Sequence, residues 1–278
     1  MLKQRIITAV CLVVVLLAAL FFLPFYFFAG FIALVLLVAA WEWANLSGFE
    51  QPVQRIIYTA VFAVIVLVIG IYIGFFSELN IDHIRSILLV AGLWWSVALL
   101  WVQGYPASAV LWGSCWLRAL MGFFTLVPSG IALVFLHSLP QGYWFILLLV
   151  LVVSTADTGA YFSGRAFGRR KLAKHVSPGK SWEGVWGGLI ACVLLALGVA
   201  MSTDISTLLL VLAVILPTAM VSVLGDLLES MLKRHRGIKD SGYILPGHGG
   251  VLDRIDGLTA AAPVFALAII LSGWQLPL

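Results

Sequence analysis

Asp253 and Asp256, in the string DRIDG, stand three residues apart, which on a helix puts both carboxyls on one face. If a helix has begun by Leu252, the two groups repel unless a cation lies between them, and hard oxygen ligands of this kind suit Mg²⁺. In a soluble protein the same acids would read as favourable charges at a positive helix N-terminus, paired with Arg254. Here they open an apolar run of membrane-spanning length, where ionisable groups are costly and usually functional. Asp226 ends the preceding run, VILPTAMVSVLGDLLESMLKR, with Gly225 before it and Glu229 one turn on, and is a natural third ligand. Asp157, in STADTGAYFSGRAFG, is a fourth acid near the same face; its plainer reading is a hydrogen bond between helices among small residues.

The bases fall in two stretches. One is SGRAFGRRKLAKHVSPGKSWEG; the other, from Lys233 to Asp256, is KRHRGIKDSGYILPGHGGVLDRID. In the first, Pro178 and Gly179 make a turn, Ser181 caps the following helix, and Lys180 is held at that helix N-terminus, a ready anion site. The string GKS is not a Walker A loop: Lys174 stands where that motif needs glycine, and no strand is expected before it. GHGG is no dinucleotide fingerprint, because no βαβ unit surrounds it. Carboxylates for a divalent metal, Lys and Arg for phosphate, and glycine turns for close backbone approach are what phosphoryl or nucleotidyl transfer requires. Such reactions are catalysed mainly by positioning and charge neutralisation.

The elements that hold these residues are read from composition. Of 278 residues, 63% are hydrophobic and 10% charged, far below the share of charge in a soluble domain. Long apolar runs recur without alternation, so they are helices rather than barrel strands, and several reach the ~20 residues that cross a ~30 Å hydrocarbon core. The expected class is a polytopic all-α membrane protein of about nine spans. They lie near 6–23, 25–41, 56–76, 87–102, 118–136, 144–162, 184–201, 208–226 and 257–275. With Lys3 and Arg5 marking a cytoplasmic N-terminus, 15 of the 16 Lys and Arg residues fall on the inner side and only Arg85 outside, as the positive-inside rule requires. The first run is too long for a signal-peptide core and no cleavage site follows it, so it is expected to be retained.

The three cysteines, Cys11, Cys115 and Cys192, sit in or beside apolar runs without metal spacing and are expected to pack as small apolar residues. Trp41, Trp43, Trp94, Trp95, Trp101 and Trp144 lie near span ends and are expected to be interfacial anchors. The net charge of +4 suits a basic face beside anionic lipid and calls for no nucleic acid. Residues 157–256 hold 19 of the 28 charges, so 1–143 is expected to be a transmembrane scaffold. Residues 144–278 are expected to be the catalytic region, with cytoplasmic loops 163–183 and 227–256.

The stretch SMLKRHRGIKDSGYILPGHGGVLDRID, Ser230 to Asp256, resembles the signature of the phosphatidate cytidylyltransferase (CDP-diacylglycerol synthase) family. Ser230, Lys233, Arg234, Lys239, Asp240, His248, Gly249, Gly250, Asp253, Arg254 and Asp256 all match it. The blocks DTGAYFSGRAFGRRKL and SPGKSWEG are similar to that family as well, and the resemblance is strong over residues 150–262. It implies Mg²⁺-dependent transfer from CTP to phosphatidic acid, giving CDP-diacylglycerol and pyrophosphate, in a bacterial inner membrane with the site facing the cytoplasm. It implies that Asp226, Asp253 and Asp256 hold metal, and that Lys180, Lys233, Arg234, Lys239 and Arg254 neutralise phosphates. Ser177, Ser230, Gly249 and Gly250 would contact substrate. Asp240 would orient Lys239 or a metal-bound water, and His248 would either donate to leaving pyrophosphate or order the loop. A homodimer is an open expectation.

Two rivals are weaker. A CDP-alcohol phosphotransferase needs Arg where Ala261 stands and further acids beyond Asp256, where there are none. An ion-coupled transporter would have no use for the long loop of bases and glycines, and repeated halves are not evident.

Overall fold

The computed structural model describes residues 2–274, with side chains from Ile6 onward. The charges of Lys3 and Arg5 therefore lie outside the described side chains. In chain order the helices are α1 (Leu2–Phe22), α2 (Phe25–Ser47), α3 (Pro52–Tyr72), α4 (Ile81–Gln103), the single turn α5 (Ala109–Trp112), α6 (Cys115–Ser138) and α7 (Gly142–Phe167). A hairpin of β1 (Lys171–Ala173) and β2 (Ser177–Ser181) leads into α8 (Trp182–Ser202), α9 (Leu208–Arg236) and α10 (Leu252–Ser272). Eight of these helices are long and apolar enough to cross a membrane, and α1 adds the apolar stretch Ile6–Phe22. The chain is a polytopic all-α membrane protein, as its composition implies.

Several boundaries differ from expectation: α2 ends at Ser47 rather than near 41, α4 starts at Ile81 rather than near 87, α7 runs to Phe167 rather than 162, and two more differ beside the acids. α9 runs on from 226 to Arg236 because Leu227, Leu228, Met231 and Leu232 continue one buried helical face. The expected loop 227–256 shrinks to 237–251. α10 starts at Leu252, five residues early, so Asp253 and Asp256 do lie on its first turns. The expectation of no strand before GKS is corrected: β1 and β2 pair antiparallel, Lys171 opposite Ser181 and Ala173 opposite Ser177. The P-loop remains absent, since Lys174 still occupies the glycine position. The hairpin is fastened to α8 by Glu183, which accepts from the amides of Arg169 (3.1 Å) and Arg170 (3.2 Å).

The core runs through both halves of the chain, with α6 and α10 at its centre and α3 at the edge. Small residues set the closest helix contacts. On α8, Gly184, Gly187 and Gly188 lie against Ala160, Ser163 and Ala156 of α7, leaving no room for a Cβ. On α9, Gly225 lies against the Asp256 carbonyl and Ala260 of α10. Not every tryptophan is an anchor. Trp43, Trp94 and Trp95 are buried, and the first two donate to Arg118 O (2.8 Å) and Thr125 Oγ1 (3.2 Å). Among the cysteines only Cys192 is fully packed, whereas Cys11 is exposed.

One end of the bundle gathers the C-termini of α2, α7 and α9, the N-termini of α6, α8 and α10, and the hairpin. Arg236 pairs with Glu50 (2.9 Å), Arg118 donates to Leu46 O (3.0 Å), and His235 packs on Trp112. Arg118 is buried in α6 rather than free in a loop. Arg85 sits at the other end, paired with Asp82 at 2.8 Å.

Candidate active site

The acids collect where α9 and α10 touch. Because Gly225 has no side chain, α9 rests on the backbone of Asp256, and this brings Asp226 into electrostatic range of the Asp256 carboxyl. Lys180 reaches across from β2 to Asp226, Nζ to Oδ2 2.6 Å, and Ser230 Oγ donates to Asp226 Oδ1 at 3.1 Å. One turn along α9, Glu229 lies against Asp256 and is 2% exposed. Both its oxygens are buried, with the Asp256 carboxyl beside them and Lys233 Nζ, 3.4 Å from Oε2, as an ion-pair neighbour. Lys233 also holds Asp253 Oδ1 at 2.7 Å. The other Asp253 oxygen accepts from Ser241 N (3.0 Å), Ser241 Oγ (2.9 Å) and Gly250 N (2.8 Å).

Four carboxyls, Asp226, Glu229, Asp253 and Asp256, thus face two lysines along one seam. Asp157 on α7 adds a fifth within range of Lys180 and Asp226. If all are ionised, negative charge exceeds positive by at least two, and the buried Glu229 carboxyl lies inside the cluster. An all-oxygen set of this charge fits a divalent ion such as Mg²⁺. Among the described residues no three acidic, His or Cys side chains are arranged to hold a metal ion, and lysines pair with Asp226, Glu229 and Asp253.

The remaining expected residues are spread around this seam. Ser181 caps α8, accepting from Gly184 N at 3.2 Å, as the sequence implies. Arg234 donates through Nε to Val176 O (3.2 Å), tying α9 to the hairpin next to Ser177. Asp240 lies beside Gly249, whose φ of +81° favours glycine. Arg254 donates to His248 O (3.2 Å), and His248 Nδ1 is buried without a partner. Lys239 and Arg254 are exposed, and neither makes an ion pair with the seam acids. Gly250 is buried, with its amide given to Asp253.

Two carboxyls carry more of the site than the sequence assigned to them. Glu229 was visible only as a neighbour of Asp226. Glu42, in α2, was passed over; it accepts from Val251 N (3.0 Å) and Leu252 N (2.8 Å) at the start of α10. Its signal was present: it is an acid inside an apolar run, WEW, the same feature that singles out Asp157.

A sequence profile described as the cytidylyltransferase family matches residues 3–272. A phosphatidate cytidylyltransferase of Pseudomonas aeruginosa is 48% identical over 280 residues, covering 100% of both chains. One of Haemophilus influenzae is 43% identical over 290 residues, 96% of this chain and 98% of its own. One of Brucella suis is 49% identical over 130 residues, 46% of this chain and 47% of its own.

Proposed function

The chain belongs to the cytidylyltransferase family, and from that premise we infer that it transfers the cytidylyl group of CTP to phosphatidic acid. A phosphate oxygen of the lipid attacks the α-phosphorus of CTP. The bond from that phosphorus to the oxygen bridging the β-phosphate breaks, and pyrophosphate leaves with the electron pair. CDP-diacylglycerol is the other product. The lipid phosphate is already an anionic nucleophile near neutral pH, so the reaction needs charge neutralisation and alignment more than a strong base.

The observation that carries this reading is the seam of four carboxyls and two lysines at one end of a membrane bundle, where a lipid headgroup and a soluble nucleotide meet. Bound Mg²⁺ would supply neutralisation of triphosphate charge and polarisation of the phosphoryl group. Asp226 and Asp256, with Glu229 between them, would hold it, and Asp253 would join in exchange for Lys233. Lys180 and Lys233 then become free to bind phosphate, with Arg234, Lys239 and Arg254 around the rim. Asp240, His248, Ser177, Ser230 and Gly249 would contact substrate or its phosphates, and Gly250 would support the site through Asp253. The test is direct. Purified protein in mixed micelles of phosphatidic acid, given labelled CTP and Mg²⁺, should yield a lipid-soluble cytidine product and an equal amount of pyrophosphate. Label that stays in the aqueous phase would refute the assignment.

The acid-bearing end faces the cytoplasm of a bacterial inner membrane in this reading, supported by the 15-to-1 distribution of Lys and Arg and by the bacterial relatives. In a cysteine-free background, single cysteines at Lys171 and Arg236 should label only once the inner side is opened to the reagent. One at Asp204 should label from outside. The reverse pattern would invert the orientation.

A further inference from the structure

Glu42 belongs to the half of the chain that the sequence reads as scaffold, yet its carboxylate is 2% exposed and spent entirely on the catalytic end. α10 begins without a local cap: its N-cap residue, Val251, has no side chain that accepts a hydrogen bond. The free amides of a helix N-terminus need an acceptor, and an anion is the best one. Glu42 supplies it from α2, Oε1 to Val251 N and Oε2 to Leu252 N. Gly242 and Gly250 make this access possible, because a Cβ at either would collide with the Glu42 carboxyl.

Ser241 carries the contact further. Its Oγ lies 3.4 Å from Glu42 Oε2 and 2.9 Å from Asp253 Oδ2, so the hydroxyl stands within donating distance of both carboxylates. Asn45, one turn beyond Glu42 on the same face, donates to Ser241 O at 3.2 Å and is itself held by Arg55 at 2.9 Å. A continuous chain of contacts therefore runs from Glu42 through Ser241 and Asp253 to Lys233 and Glu229.

We propose that Glu42 is a positioning residue for cytidylyl transfer: as the cap of α10, and through Ser241, it sets where Asp253 and Asp256 stand against Lys233 and Asp226. The Glu42 carboxylate is taken up by α10 and Ser241, so it acts through them. The inference rests on the α9–α10 seam being the reaction centre.

The test uses Glu42→Gln, Ser241→Ala and the double variant of the full-length protein. Glutamine keeps the shape of the side chain but opposes an N–H donor to one of the two amides. The expected result is a kcat lowered roughly 10- to 100-fold, the usual effect of removing a group that orients a ligand, with KM for CTP changed much less. Amide exchange at Val251 and Leu252 should speed up while that of α6 stays as it was. Ser241→Ala should lower kcat too, and the double variant should be no slower than Glu42→Gln alone, because both act along one path. Unchanged kcat in Glu42→Gln, or losses that multiply in the double variant, would overturn the proposal. So would a kcat deficit explained wholly by less folded protein. If Glu42→Gln does not fold, Ser241→Ala decides alone, since it removes one oxygen and leaves both Glu42–amide contacts. Asp256→Asn in the same assay separates the two levels. If it keeps turnover, the reading of the seam fails; if it is dead while Glu42→Gln is active, only the positioning role fails.

Discussion

Asp256→Asn is expected to abolish turnover while the protein still inserts, folds and purifies. The amide is nearly the same size and still accepts the Gly257 N–H that Asp256 Oδ1 accepts at 2.8 Å, so the first turns of α10 have no reason to unwind. What disappears is a negative charge at the point where α9 and α10 touch. Asp226 and Glu229 approach that point from α9, and among the described residues no lysine or arginine pairs with Asp256 itself. A group so placed, left without a cation of its own, is suited to a charge that arrives with substrate or metal. Losing such a ligand removes several kcal/mol of stabilisation, roughly a thousandfold or more in rate. Steady-state assays over a range of Mg²⁺ concentrations check this. Near-normal turnover with an unaltered Mg²⁺ dependence would contradict it.

Lys233→Met is expected to be the most destabilising single change at the seam. The lysine side chain is 15% exposed and sits between Asp253 at 6% and Glu229 at 3%. Methionine fills a similar volume but leaves two buried carboxyls without their cation. Breaking a buried ion pair from one side costs about 3–5 kcal/mol, enough to lower the unfolding midpoint in detergent by many degrees, and activity should vanish with it. Adding Asp253→Asn to the variant should restore part of the midpoint but none of the turnover, since it removes one of the stranded charges without returning the lysine. A midpoint equal to that of the parent protein in the single variant would show that the pair is solvated and that Lys233 has no structural part.

The helices were legible in the sequence because a lipid-facing chain must be apolar over a fixed length, and that leaves long runs no loop can imitate. The acids at 226, 253 and 256 were legible for the same reason, as exceptions to those runs. The hairpin was not, because SPGKS has the residues of a turn and a cap, and the segment leading into its partner strand is held by Glu183 of α8 through the amides of Arg169 and Arg170. The continuation of α9 past Asp226 was hidden by its charge. Glu229, Lys233 and Arg234 read as loop, while the buried face of Leu227, Leu228, Met231 and Leu232 between them reads as helix. Glu42 is marked in the sequence as an acid inside an apolar run, but its role depends on the backbone amides of residues 251 and 252, which no residue type announces.

The order of charges along the chain bears on how the protein is made. β2 and α9 are synthesised before α10, and between them they already contain two matched pairs, Lys180 with Asp226 and Glu229 with Lys233. The second pair lies one turn apart on α9 itself, so that helix can leave the ribosome and enter the translocon with its carboxyl and ammonium groups offsetting each other. α10 then brings Asp253 and Asp256, with Arg254 between them engaged on the His248 carbonyl, to a partner whose cations are in place. A chain with Lys180 and Lys233 moved to α10 would hold the same charges in the finished site. It would, however, expose bare acids on α9 during insertion, when no later helix has yet arrived to cover them.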